Sequence, residues 1–67
     1  MARGHIKKLV GDRGFGFVRV DGQPDVFFHL SVLTGGVQFE DLYEEQEVEF
    51  ELDPKAPKPR AVSVRVL

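Results

Sequence analysis

Apolar residues recur at every second position through most of the chain, which is the period of a half-buried strand and not the 3.6-residue period of a helix. Residues 47–52 alternate strictly, with Val48, Phe50 and Leu52 on one side and Glu47, Glu49 and Glu51 on the other. Residues 61–66 alternate again, placing Val62, Val64 and Val66 together and Ser63 and Arg65 opposite. Residues 15–20 (Phe-Gly-Phe-Val-Arg-Val) and 26–30 (Val-Phe-Phe-His-Leu) predict two more strands, and residues 5–10 a first strand with imperfect alternation. Gly11-Asp12-Arg13-Gly14 predicts a turn, and Asp21 to Pro24, ending at Asp25, closes strands two and three into a hairpin. Asp53 to Pro59 holds three prolines and cannot be a central strand, because each proline removes a ladder donor. Ser31 to Glu45 is longer and looser, with Gly35-Gly36 inside it.

Five short strands without a convincing helix predict an all-β fold. A closed or nearly closed barrel removes exposed edges, so a five-stranded antiparallel OB-fold barrel or an SH3-like barrel fits best. No repeat, low-complexity tract or linker divides the 67 residues, so the expectation is a single domain over residues 1–67.

The central hairpin has two apolar faces, and only one of them can meet the core. Gly16, Val18 and Val20 share one face of strand two, and Val26, Phe28 and Leu30 one face of strand three. These aliphatic faces join naturally with Val48, Phe50, Leu52, Val62, Val64 and Val66. Phe15, Phe17, Phe27 and His29 are then left on the outer face, flanked by Lys7, Lys8, Arg13 and Arg19 and within cross-strand reach of one another. Clustered exposed aromatics mark an interaction surface. Aromatic rings stack any base at about 1–3 kcal/mol each, and bordering cations neutralise phosphates, which together suit single-stranded nucleic acid. The alternatives are a protein-protein patch, or rings that belong to the core on a face the alternation assigns wrongly.

Charge changes the picture through its distribution more than its sum of −2. Residues 1–20 hold Arg3, Lys7, Lys8, Arg13 and Arg19 against Asp12 alone. Residues 21–53 hold ten carboxylates and no Lys or Arg, and residues 54–67 hold Lys55, Lys58, Arg60 and Arg65. Such blocks can fold into one basic and one acidic face, the basic one acting within a Debye length of about 8 Å. They equally suit ordinary solvated strand faces that attract their acidic neighbours.

At these residues the chain resembles the bacterial cold-shock domain, a five-stranded OB-type barrel. Arg13-Gly14-Phe15-Gly16-Phe17-Val18 looks like its first RNA-binding motif and Val26-Phe27-Phe28-His29-Leu30 like its second. Asp25, Ser31, Pro59, Ala61 and Val64 match further landmarks, and the similarity runs from Gly4 to Val66. By that resemblance Phe15, Phe17, Phe27 and His29 stack bases, Lys7 and Arg13 meet phosphates or base edges, and Asp25 accepts from a base edge. Phe39 resembles an aromatic that stacks a further base, and Lys58 and Arg60 add backbone contacts. The resemblance implies a cytoplasmic, monomeric protein that holds RNA or DNA single-stranded, in the manner of an RNA chaperone. Lys8, Leu9 and Leu30 depart from it, standing where the family carries aromatics, so binding is expected to be weaker, more salt-sensitive and less base-selective.

Other chemistry finds little footing. Two histidines and no cysteine argue against a metal site, and Gly14-Phe15-Gly16 inside a strand is not a phosphate loop. No nucleophile has a plausible base and so small a chain offers no enclosed cleft, so the expectation is no enzyme, no cofactor and no small-molecule substrate. No apolar run approaches the roughly 18 residues of a membrane span. The second functional reading is an OB-fold module that presents Phe15, Phe17 and Phe27, with the acidic face, to a protein partner.

Overall fold

A computed structural model describes residues 2–67. Five strands form one antiparallel sheet: β1 (Ala2–Val10), β2 (Phe15–Arg19), β3 (Val26–His29), β4 (Glu47–Leu52) and β5 (Ala61–Val66). Their order across the sheet is β3-β2-β1-β4-β5. Two single 3₁₀ turns, Leu30–Val32 and Phe39–Asp41, lie in the long segment between β3 and β4. The ladder does not run continuously round a barrel. Its two edges meet instead at one parallel bridge between Phe27 of β3 and Arg60 just ahead of β5.

The strand expectations hold with three corrections at the ends. β1 starts at Ala2 and not at His5, because residues 2–5 pair with β4 from Ala2–Phe50 to His5–Glu47, a tertiary contact that local alternation does not carry. β2 stops at Arg19, one residue short. β3 stops at His29, since Leu30 turns into the first 3₁₀ turn.

The core is formed by Ile6, Val18, Val26, Phe28, Leu42, Val48, Phe50, Ala61 and Val64. Three members of the expected aliphatic face lie outside it and are exposed, Leu30 and Leu52 at 45% and Val62 at 47%. For Val62 the cause is a bulge in β5: Glu51 pairs with Ser63 but Leu52 with Ala61, so Val62 is an extra residue. One inserted residue reverses the in-out alternation beyond it, which turns Ala61 inward and Val62 outward.

A second bulge shapes β1. Ile6 pairs with Val18 and Lys8 with Phe17, leaving Lys7 unpaired between them. Lys7 and Lys8 are consequently both exposed, while Leu9 returns to the inner side opposite Gly16 and packs against the core. Two consecutive lysines thus flank the outer face, which strict alternation forbids.

Glycine is required where the hairpin passes close to its neighbours. A Cβ on Gly16 would stand 2.7 Å from the Lys8 carbonyl oxygen and 2.9 Å from the buried Phe28 ring. Gly14 has φ +73°, a left-handed conformation that costs other residues about 1–2 kcal/mol. Its N–H donates to the Val10 carbonyl at 2.9 Å and its carbonyl accepts from the Leu30 N–H at 2.9 Å, so this turn ties β1, β2 and the end of β3 together.

Candidate nucleic-acid interface

Alternation across the β2–β3 hairpin buries Gly16, Val18, Val26 and Phe28 and turns Phe15, Phe17 and Phe27 to the other side, where each is half-buried. The three rings owe that partial burial to one another. Phe17 pairs across the ladder with Phe27, and Phe15 with His29. Ring centroids are 5.4 Å apart for Phe15–Phe27 and 5.9 Å for Phe15–Phe17 and Phe17–Phe27, with tilted or edge-to-face planes. Such contacts hold rings in place at about 0.5–1.5 kcal/mol per pair beyond their area burial. The outer face is therefore a braced aromatic surface.

His29 is exposed at its margin. The Ser31 N–H donates to His29 Nδ1 at 3.2 Å, capping the first 3₁₀ turn, and the Ser31 hydroxyl lies 3.0 Å from the same nitrogen. An accepting Nδ1 leaves the hydrogen of the neutral ring on Nε2. Neither the cap nor this tautomer is readable from the strand pattern.

The cations divide into paired and unpaired sets. Lys7 donates to Asp25 at 2.8 Å, Arg19 to Glu45 at 3.1 Å and Arg60 to Asp53 at 2.5 Å. Arg3 lies 3.8 Å from Glu49. The attraction between basic and acidic blocks thus accounts for four cations, among them Lys7 and Arg60 from the expected site. Lys8, Arg13 and Lys58 have no ion-pair partner among the described residues. Lys8 stands opposite Phe17, Arg13 in the turn ahead of Phe15, and Lys58 beside a cleft that Phe17 and Phe27 help to line.

Phe39 sits in the second 3₁₀ turn, half-buried and packed against the core. Leu30 is exposed and drapes over Gly14, where an added Cβ would come 2.5 Å from its Cδ2. The β4–β5 loop adds residues the strand pattern did not single out. Pro57 and Pro59, with Arg60, wall a cleft of about 390 Å³ beside Phe17 and Phe27. On the far side of Arg60 lies a second cleft of about 460 Å³, bordered by Phe27, His29, Val32 and Val62.

Asp53 anchors that loop. Its carboxylate accepts from Arg60 and from the Lys55 N–H at 2.9 Å, and these bonds, Arg60 first, hold its carboxyl below the ordinary value of 3.8. A depressed folded-state value stabilises the fold above the unfolded-state value and loses that effect as pH falls through the folded one. Wild type is therefore expected to exceed Asp53→Asn in stability at pH 7, with the gap closing below about pH 4. Urea unfolding of both proteins between pH 7 and pH 2 checks this, and a gap that widens in acid would contradict it.

An all-β sheet of OB type, carrying a braced aromatic face with cations at its border, defines a class of small β-sheet protein. Residues 2–67 match the family described as the 'Cold-shock' DNA-binding domain, and the chain belongs to that family. It is 42% identical over 64 residues to the cold shock-like protein CspD of Bacillus cereus, covering 96% of each chain. It is 43% identical over 61 residues to the cold shock-like protein CspE of Bacillus anthracis, covering 91% of this chain and 90% of the relative. Across the full length of both chains it is 40% identical to the cold shock-like protein CspLB of Listeria monocytogenes. No helix among the described residues is long and apolar enough to cross a membrane.

Proposed function

We propose that this protein binds single-stranded RNA or DNA by stacking bases on Phe15, Phe17, Phe27 and His29 while Lys8, Arg13 and Lys58 meet the phosphates. The observation that carries this reading is the three-ring contact on the outer face of β2 and β3, bordered by Lys8, Arg13 and Lys58, which have no carboxylate partner among the described residues. Stacking needs no sequence-specific edge contact, because every base has a π-face. Binding the unpaired strand would draw the pairing equilibrium toward it, which is how such a surface acts as an RNA chaperone without catalysis. Lys7 and Asp25 reach a base edge only by exchanging their mutual ion pair for it, an exchange of modest cost at an exposed site. Leu9 faces inward, so among the departures from the family pattern only Lys8 and Leu30 shorten the stacking surface.

Titration of short RNA and DNA oligomers at several salt concentrations tests the reading. Amide shifts are expected at Phe15 to Phe17 and at Phe27 to His29. With three phosphate contacts the slope of log K against log salt should be about −2. Oligomers that leave these amides unmoved at low salt would overturn the reading and favour a protein partner for the same rings.

A further inference from the structure

Arg60 is held from two directions. Its backbone is locked to that of Phe27: the two residues form the parallel bridge, and the Phe27 N–H donates to the Pro59 carbonyl at 3.1 Å. Its side chain is held from behind by Asp53, whose carboxylate is only 15% exposed and is itself fixed by the Lys55 N–H. The Asp53 N–H closes the loop by donating to the Arg60 carbonyl at 2.8 Å. A guanidinium carries five N–H donors in a rigid plane, and this contact engages one Nη. The arginine side chain stays 54% exposed and forms the partition between the two clefts that flank Phe27.

We propose that Arg60 reads the edge of a base stacked on Phe27 and that the base it selects is guanine. This rests on the single-strand reading above and adds a base preference to it. Phosphate neutralisation needs only a point charge, which Lys8, Arg13 and Lys58 supply without orientation. A braced planar fork gains most from two acceptors lying side by side in one plane. Guanine offers that pair in O6 and N7, and arginine to O6 and N7 is the commonest specific contact to a base. Adenine places an amino donor beside N7, and in uracil an N–H separates the two carbonyls. Cytosine has adjacent acceptors on its pairing edge but a smaller ring to lay on Phe27. The clefts beside Phe27 are walled by Pro57, Pro59, Val32 and Val62, so a base entering either of them leaves water and meets Arg60 at its rim.

The test compares a uridine heptamer with three variants carrying one central G, A or C, at fixed salt. Wild-type protein should bind the G variant on the order of tenfold more tightly than the other three. Arg60→Lys keeps the charge and loses the fork, so the ratio of its affinities for the G variant and the uridine heptamer should fall to about one. Asp53→Asn should reduce the preference without abolishing it, because the fork survives but its support weakens. Amide spectra of the free variants verify that both remain folded. Equal affinity for all four oligomers, or a G preference that survives Arg60→Lys, overturns the proposal while leaving single-strand binding intact. Failure of every oligomer to bind wild type overturns both.

Discussion

Replacing Phe28 by Ala is expected to remove about 3–5 kcal/mol of stability, the cost of truncating a fully buried Phe. Phe28 has no exposed surface, sits on the inner side of β3, and its ring lies against the space that Gly16 leaves open. A chain this short buries only roughly 60% of its unfolded surface and starts with little reserve. A stability of about 5–15 kcal/mol is the general range, so this one substitution consumes a large share of it. Urea unfolding followed by far-ultraviolet circular dichroism measures the change. A loss below about 1 kcal/mol would mean that β3 turns the other way, and the outward placement of Phe27 would fall with it.

The neighbouring residue should behave in the opposite sense. Phe27→Ala, or Phe17→Ala across the ladder, is expected to cost roughly 1–3 kcal/mol of single-strand affinity, about 5- to 150-fold, through loss of one stacking ring. Its effect on stability should be clearly smaller than that of Phe28→Ala, because the ring is half-buried and loses edge contacts to two other rings without opening a core cavity. Parallel titration and unfolding of the three variants separates the roles. If Phe27→Ala unfolds the protein as readily as Phe28→Ala, or if it binds as tightly as wild type, the outer rings are not a stacking surface.

That adjacent phenylalanines divide between core and surface was legible in the sequence, because two strands of period two joined by a tight turn leave only one consistent inner face. Gly16, Val18, Val26 and Phe28 fit together on it, and the three remaining rings had to lie outside. β4 and β5 were equally legible from strict alternation between clear turn residues. The two bulges were not. Nothing in Lys7-Lys8 or in Ala61-Val62 marks an inserted residue, since a bulge is set by what the partner strand presents. So Val62 was placed inside on a rule that fails at the insertion. The long-range pairs of Lys7 with Asp25 and Arg60 with Asp53 were hidden for a similar reason. Charge blocks show that opposite signs will meet, and only the folded register decides which meet.

The seam at Phe27 and Arg60 gives the sheet a place to yield. Everywhere else neighbouring strands share several rungs, but the outermost two are joined there by one bridge, helped by a single further bridge between Leu33 and Val64. Local opening should therefore begin along this line, where the fewest hydrogen bonds must break. Anything seated across Phe27 and Arg60 would act as a rivet between the two free margins, so occupancy and mechanical integrity of the shell would rise together.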